Sequence, residues 1–109
     1  MEATLNPIYR ECIEACQQCI VDCQFCLAQM ATRKSHNDCP LCCVQCVESC
    51  QTCLKMMVVD SRWAKDYCRL CAEICDYCAE QCGAHDHAHC QKCAESCRAC
   101  ATACRAIAA

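Results

Sequence analysis

The sequence predicts an all-α fold, an antiparallel up-down-up-down four-helix bundle with a cysteine-lined core. Three observations predict it. Twenty of the 21 cysteines fall in four runs whose spacing alternates between three and four residues. That alternation is the a/d stripe of an amphipathic helix, the side that faces a partner helix. One Gly and two Pro leave too few turn formers for a many-stranded sheet. The residues between the cysteines are largely Ala, Glu, Gln, Arg and Lys, which favour helix.

The first helix is expected over residues 7–33. Asn6 is an N-cap and Pro7 suits the first helical position. The stripe is Cys12, Cys16, Cys19, Cys23 and Cys26, extended by Leu5 and Tyr9 before it and Met30 after it. At ~1.5 Å per residue this helix is roughly 40 Å long. The polar link Lys34-Ser35-His36-Asn37-Asp38 follows. The second helix, 39–58, has Pro40 in its first turn and the stripe Cys39, Cys43, Cys46, Cys50, Cys53 and Met57. Cys42 is an extra, ~100° around the helix from Cys43; it is counted with the candidate metal ligands, although the two need not both point inward. The third helix, 61–82, is capped by Asp60 or Ser61 and carries Cys68, Cys71, Cys75, Cys78 and Cys82. Gly83 is the expected left-handed residue just past its end. The link Ala84-His85-Asp86-His87-Ala88 leads to the fourth helix, 87–106, with Cys90, Cys93, Cys97, Cys100 and Cys104. Short links make neighbouring helices antiparallel, and 109 residues make one domain. The four segments read as degenerate copies of a Cys-x-x-Cys-x-x-x-Cys unit.

Four such stripes facing one another line a tube with sulfur, which reads as a container for a soft, thiophilic metal. Nine Cys-x-x-Cys pairs lie within the helices. On a helix such a pair has its Cβ atoms roughly 5–6 Å apart, so two sulfurs can bridge one ion without bending the chain. Cu(I), soft and content with two or three thiolates, ranks first. Zinc or cadmium ranks second, because zinc prefers a closed tetrahedron. Iron–sulfur clusters rank third, since their cysteines usually come from wrapping loops. Buried thiols must be largely protonated without metal, so loading by a monovalent ion should release protons. Cysteine also packs as a small hydrophobe, but aliphatic residues would fill nearly every interior position better. Three- and four-residue spacings orient Cβ vectors poorly for disulfides.

Up-down topology puts the first and third links at one end. His36, His85, His87 and His89 then cluster there with Cys26, Cys39, Cys82, Cys90 and Met30. Imidazole and thioether both bind soft or borderline cations, so this end is the expected mouth for metal, against the alternative of a merely polar loop. Met56 and Met57 lie at the other end, where a gap-filling plug is expected.

A formal net charge of −3 gives no electrostatic support for nucleic-acid binding. No run approaches the ~20 apolar residues of a membrane span. The opening Met-Glu-Ala-Thr-Leu-Asn-Pro has no basic n-region, apolar h-region or twin arginine, so a cytoplasmic location is expected. There thiols stay reduced, and dense cysteine reads as metal binding. Three function classes compete. A storage protein needs many buried thiols. A copper chaperone needs one exchangeable exposed site. A thiol oxidoreductase needs one low-pKa cysteine at a helix N-terminus, usually in a βαβ setting. The sequence favours the first and no enzyme.

With these ladders on four helices and histidine-bearing links, the chain resembles the cytosolic branch of the bacterial copper storage proteins over essentially its whole length. The resemblance implies a bundle that holds many Cu(I) ions inside, often as multinuclear thiolate clusters, for storage or detoxification. It implies that the stripe cysteines are the ligands, that the histidine end is the copper entrance, and that the chain forms a homotetramer. Trp63, Tyr67, Leu70, Ile74 and Tyr77 form a second apolar stripe on the third helix, the candidate oligomer contact. Lesser flanks, Ile13, Ile20 and Leu27 on the first helix and Val44, Val47, Leu54 and Val58 on the second, read as seals of a single bundle. Glu11, Glu14, Glu48, Glu73, Glu80 and Glu95 read as solvated positions.

Overall fold

Residues 3–109 are described by a computed structural model; Met1 and Glu2, part of the opening examined for a leader, lie outside the described residues. A 3-10 turn, Pro7–Tyr9, leads into four helices: α1 Arg10–Met30, α2 Leu41–Val58, α3 Ala64–Gly83 and α4 Ala88–Ala108. No strand occurs among the described residues. α1 packs on α2 and α4, and α3 packs on α2 and α4, so the helices form a square in chain order. The long axis of the molecule is 53 Å and the cross-section 24 × 17 Å.

The helix ends depart from the sequence expectation for local reasons. Asn6 does cap, its side chain accepting from the Ile8 amide at 3.2 Å, but over the 3-10 turn rather than over α1 itself. α1 stops at Met30, where the Arg33 amide turns back to the Met30 carbonyl at 3.0 Å. α2 begins at Leu41 instead of Cys39, because the Cys39 amide donates to Asn37 Oδ1 at 3.0 Å and stays outside the helix.

The left-handed residue expected at Gly83 is found at Asp60, φ 51°. The Ser61 amide donates to the Met56 carbonyl at 2.9 Å and the Asp60 amide to Met57 at 3.0 Å. This pair of bonds is a Schellman ending for α2, and Asp tolerates the conformation better than most residues. Gly83 has negative φ and is the last residue of α3, with Ala94 against it. Ser61 Oγ accepts from the Trp63 amide at 3.1 Å, so Ser61 starts a turn ahead of α3, which begins at Ala64.

All 21 cysteines are buried and free. Around them run Ile13 and Val47 on α1 and α2, and Ala72, Ala79, Ala94 and Ala101 on α3 and α4. Tyr9 and Met57 close one end of the axis, and Met30 lies at the other. The six glutamates expected to be solvated are exposed. The backbone hydrogen bonds within the helices use no metal ligand, so a preformed tube is expected. Far-UV circular dichroism of reduced, metal-free protein should be strongly helical. A coil spectrum that turns helical only on metal addition would overturn a preformed tube.

Candidate metal centre

The 20 stripe cysteines pair across helices in unbroken antiparallel register. Between α1 and α4 the Sγ–Sγ distances are 3.5 Å for Cys12–Cys104, 3.7 Å for Cys16–Cys100, 3.7 Å for Cys19–Cys97, 3.5 Å for Cys23–Cys93 and 3.7 Å for Cys26–Cys90. Between α2 and α3 they are 3.3 Å for Cys53–Cys68, 3.8 Å for Cys50–Cys71, 3.6 Å for Cys46–Cys75 and 3.4 Å for Cys39–Cys82. Cys43 and Cys78 complete the series, grouped with Cys23 and Cys93 within 4.8 Å. The two ladders face each other: Cys19 lies 3.6 Å from Cys46, Cys43 3.8 Å from Cys93 and Cys50 3.9 Å from Cys100. The result is five stacked layers of four sulfurs, one sulfur per helix.

Cys42 is the sulfur outside the five layers. Both it and Cys43 are buried, at 1% and 0% exposure, and the 100° between them shows in where they lie. Cys43 faces the axis, while Cys42 lies on the α2 flank against α3, its Sγ 3.6 Å from Cys82 Sγ. The width of the α2·α3 contact accommodates both.

The links converge at the end formed by Cys26, Cys90, Cys39, Cys82 and Cys42. The four imidazoles form a chain, with ring centroids 4.3 Å apart for His36–His85, 6.0 Å for His85–His87 and 5.2 Å for His87–His89. His36 is exposed, and His87 and His89 are half-buried. His89 stands nearest the sulfurs, Nδ1 3.5 Å from Cys90 Sγ, and its Nε2 is buried with no partner among the described residues. His85 is buried, its Nε2 2.9 Å from Ser35 Oγ and 3.1 Å from Asn37 Oδ1. Met30 is buried at the same end.

Polar residues that the sequence reading did not single out fix this end. Asn37 Nδ2 donates to the Gln81 carbonyl at 2.7 Å, and the Asp38 amide donates to Gln81 Oε1 at 2.9 Å. Gln91 Nε2 donates to the Gly83 and His85 carbonyls at 2.9 and 2.6 Å. On the flank, Asp22 accepts from Gln18 at 3.1 Å and from Ser96, with Lys92 3.9 Å away, and so pins α1 to α4. The Asn37 and Asp38 contacts to Gln81, and those of Asp22 to Ser96 and Lys92, join residues far apart in the chain, and no spacing signals them.

The thiols do not share one acidity. Burial pushes Cys39 up to about 11 and raises Cys90. Hydrogen bonds from Cys43 and Cys82 lower Cys26 to about 6, and those from Cys43 and Cys78 lower Cys42. Raised and lowered thiols alternate through the rest of the tube as well: hydrogen bonds from Cys104 and Cys16 lower Cys100 to about 7.

Burial, then the charges of His36 and His87, lower the His85 pKa from 6.5. The unfolded chain therefore binds a proton at His85 before the folded one does. His85 leaves stability intact above about pH 6.5, and stability falls as pH drops from there through its lowered folded value. Melting of reduced metal-free protein from about pH 7.5 to about pH 5 should show this loss. His85→Gln should flatten that slope, and an unchanged slope would refute the assignment.

The geometry can be set beside known proteins. Residues 6–109 match the family model described as copper storage protein. An uncharacterized cysteine-rich protein, YhjQ, of Bacillus subtilis strain 168 is 40% identical over 101 residues, 90% of this chain and 94% of its own. The Cu(I)-bound copper storage protein BsCsp3 superposes with a TM-score of 0.89 at 38% identity, over 94% of this chain and 99% of that one. The metal-free copper storage protein 3 of Bacillus subtilis gives 0.88 at 40% identity, over 93% of this chain and 99% of that one. Sequence, fold and sulfur tube agree, and the chain belongs to the copper storage protein family.

Proposed function

We propose that this chain stores Cu(I) at high capacity, with the 21 cysteines as ligands. The observation that carries the reading is the five-layer stack of sulfurs. Sulfur separations of 3.3–4.0 Å are what two ligands ~2.3 Å from one shared ion leave between them, so each contact is a place for a bridging metal. Spacing alone also accommodates zinc, and charge separates the two. One Zn²⁺ on the four thiolates of a layer leaves two negative charges per layer, buried and stacked five deep. One Cu⁺ per thiolate leaves none. The Cu(I)-bound relative supports the same choice.

The histidine end is the mouth. His89, with its unpartnered buried nitrogen beside Cys90, and Met30 are the candidate ligands nearest the tube. His36 and His87 stand further out as a capture surface. A reducing cytosol suits free thiols, and no described helix is long and apolar enough to cross a membrane. The reading is of binding, not catalysis: all 21 thiols are buried and grouped as ligands, with no exposed cysteine set apart as a nucleophile.

Anaerobic titration of reduced protein with Cu(I), against a competing chromophoric chelator, tests the reading. Uptake should approach one copper per cysteine, with proton release rising in step. Saturation at one or two ions would overturn storage in favour of a chaperone. Replacing His36, His85, His87 and His89 together should slow loading and leave capacity nearly unchanged. Equal loading rates would remove the mouth from that end.

The homotetramer that the resemblance implies would use the exposed stripe of Trp63, Tyr67, Leu70 and Tyr77, at 53, 36, 51 and 40% exposure, with Val44 alongside. Sedimentation should give four copies of the 12.1 kDa chain. A monomer insensitive to Leu70→Glu would refute this contact.

A further inference from the structure

At the end of the tube away from the histidines, α1 and α3 begin and α2 and α4 finish. The axis there is plugged by Tyr9, Met57 and Ala64, none more than 5% exposed. Beside the plug, a cavity of about 340 Å³ opens between the start of α1, the start of α3 and the last turns of α4. Its walls include Ile8, Ala103 and Ala106, with Glu11 and Lys65 at the rim. Cys12 is the one buried residue of the lining, at 1% exposure. The same thiol belongs to the terminal sulfur layer, with Cys104 Sγ 3.5 Å away and Cys53 and Cys68 opposite. Cavities along the α2·α3 and α3·α4 flanks have no cysteine in their lining.

We propose that this cavity docks a small zwitterionic thiol, of the cysteine class, which exchanges Cu(I) with Cys12. It is a second point of access, opposite the histidines, and it rests on the Cu(I)-storage reading. Three features select that ligand. The volume is at the low end of small-molecule sites, ~300–1,000 Å³, which excludes a protein donor and admits an amino-acid-sized molecule. Lys65 and Glu11 are exposed and, among the described residues, form no ion pair. They are free to meet a carboxylate and an ammonium on one ligand. The apolar walls favour a short methylene stem that carries its sulfur down to Cys12.

The exchange balances without an oxidant. The sulfur of the incoming thiol bonds to Cu(I) as the bond from Cu(I) to Cys12 Sγ breaks. The proton of the incoming thiol ends on Cys12, and copper stays Cu(I). Repeated by further ligand thiols at the ion's remaining sulfurs, the step withdraws copper, and reversed it delivers copper from a thiol complex.

Two measurements test it. On fully loaded protein under anaerobic conditions, Ala106→Leu should slow copper removal by L-cysteine roughly tenfold, the scale of added bulk in a fitted pocket. Removal by a bulky chromophoric chelator should keep its rate. Lys65→Glu should slow removal by L-cysteine and not by cysteamine, which has no carboxylate. Unchanged cysteine rates in Ala106→Leu would overturn the site, and equal slowing of both thiols by Lys65→Glu would overturn carboxylate recognition. On metal-free reduced protein, iodoacetamide should alkylate Cys12 before Cys53 and Cys68, and Ala106→Leu should remove that lead. Cys12 reacting no sooner than its layer partners would also overturn the site. This labelling needs no copper, so its failure is distinct from a failure to take up Cu(I) in the titration.

Discussion

An unpaired thiolate in a low-dielectric interior costs several kcal/mol, and this bundle buries 21 cysteines. Each sulfur must keep its proton, share a neighbour's, or hold a metal. Sulfurs 3.3–4.0 Å apart satisfy one another as thiols, so the metal-free core is stable without bridges. The same contacts become metal sites once protons leave. A monovalent ion replaces a proton with no change of charge, and the interior remains neutral from the first ion to the last. The helical framework has only to hold the sulfurs in place, because none of its own hydrogen bonds depends on the cargo. Relatives with and without copper match this chain equally well, at TM-scores of 0.89 and 0.88.

A core of thiols places a demand on everything around it. Cysteine is smaller than Leu or Ile, so it buries less surface per position and draws the helices close. Small residues line the α3·α4 seam, where Ala72, Ala79, Ala94 and Ala101 are all buried. Cohesion that a hydrophobic core would supply comes instead from the flanks and ends. Asp22 joins α1 to α4 through Ser96 and Lys92. Asp76 and Arg105 join α3 to α4. Asn37, Gln81 and Gln91 lock the links together at the histidine end. At the other end burial and the Asp60 carboxylate raise the Tyr9 phenol, which stays neutral as part of the plug.

The sulfur tube was legible in the sequence because a period of three and four residues states both the helix and its inward face. Antiparallel topology followed from the short links, and with it the gathering of His36, His85, His87 and His89 at one end. Helix ends were less legible, because they depend on bonds between turns. Gly83 carries the usual signature of a left-handed cap, yet Asp60 adopts that conformation and Gly83 remains in α3. Cys42 was less legible than the stripe, because 100° of rotation takes a side chain off the axis but not out of the contact with α3, where Cys82 meets it. The role of His85 was invisible in the link sequence, since its partners Ser35 and Asn37 lie about 50 residues away in the chain.

The layers are distinguishable but not isolated, and this governs how cargo moves. Within one helix, sulfurs of adjacent layers lie 3.8 Å apart for Cys19–Cys23 and Cys78–Cys82, and 4.0 Å apart for Cys93–Cys97 and Cys100–Cys104. Those steps match the distances within a layer. An ion bound by two or three sulfurs therefore always has another donor within one step, along the axis as well as across it. A tube of this kind offers clusters and continuous exchange where separate tetrahedral cages would offer discrete sites. Control then passes from the interior, where steps are alike, to the ends, where they are not. At one end a thiol lowered to about 6, Cys26, stands beside sulfurs that burial holds protonated and beneath a chain of imidazoles. At the other, an apolar plug blocks the axis and a single cysteine, Cys12, is in the lining of a cavity that carries Glu11 and Lys65. The sulfur spacing along the bundle is uniform, so the rates at which copper enters and leaves are expected to be set at these two termini.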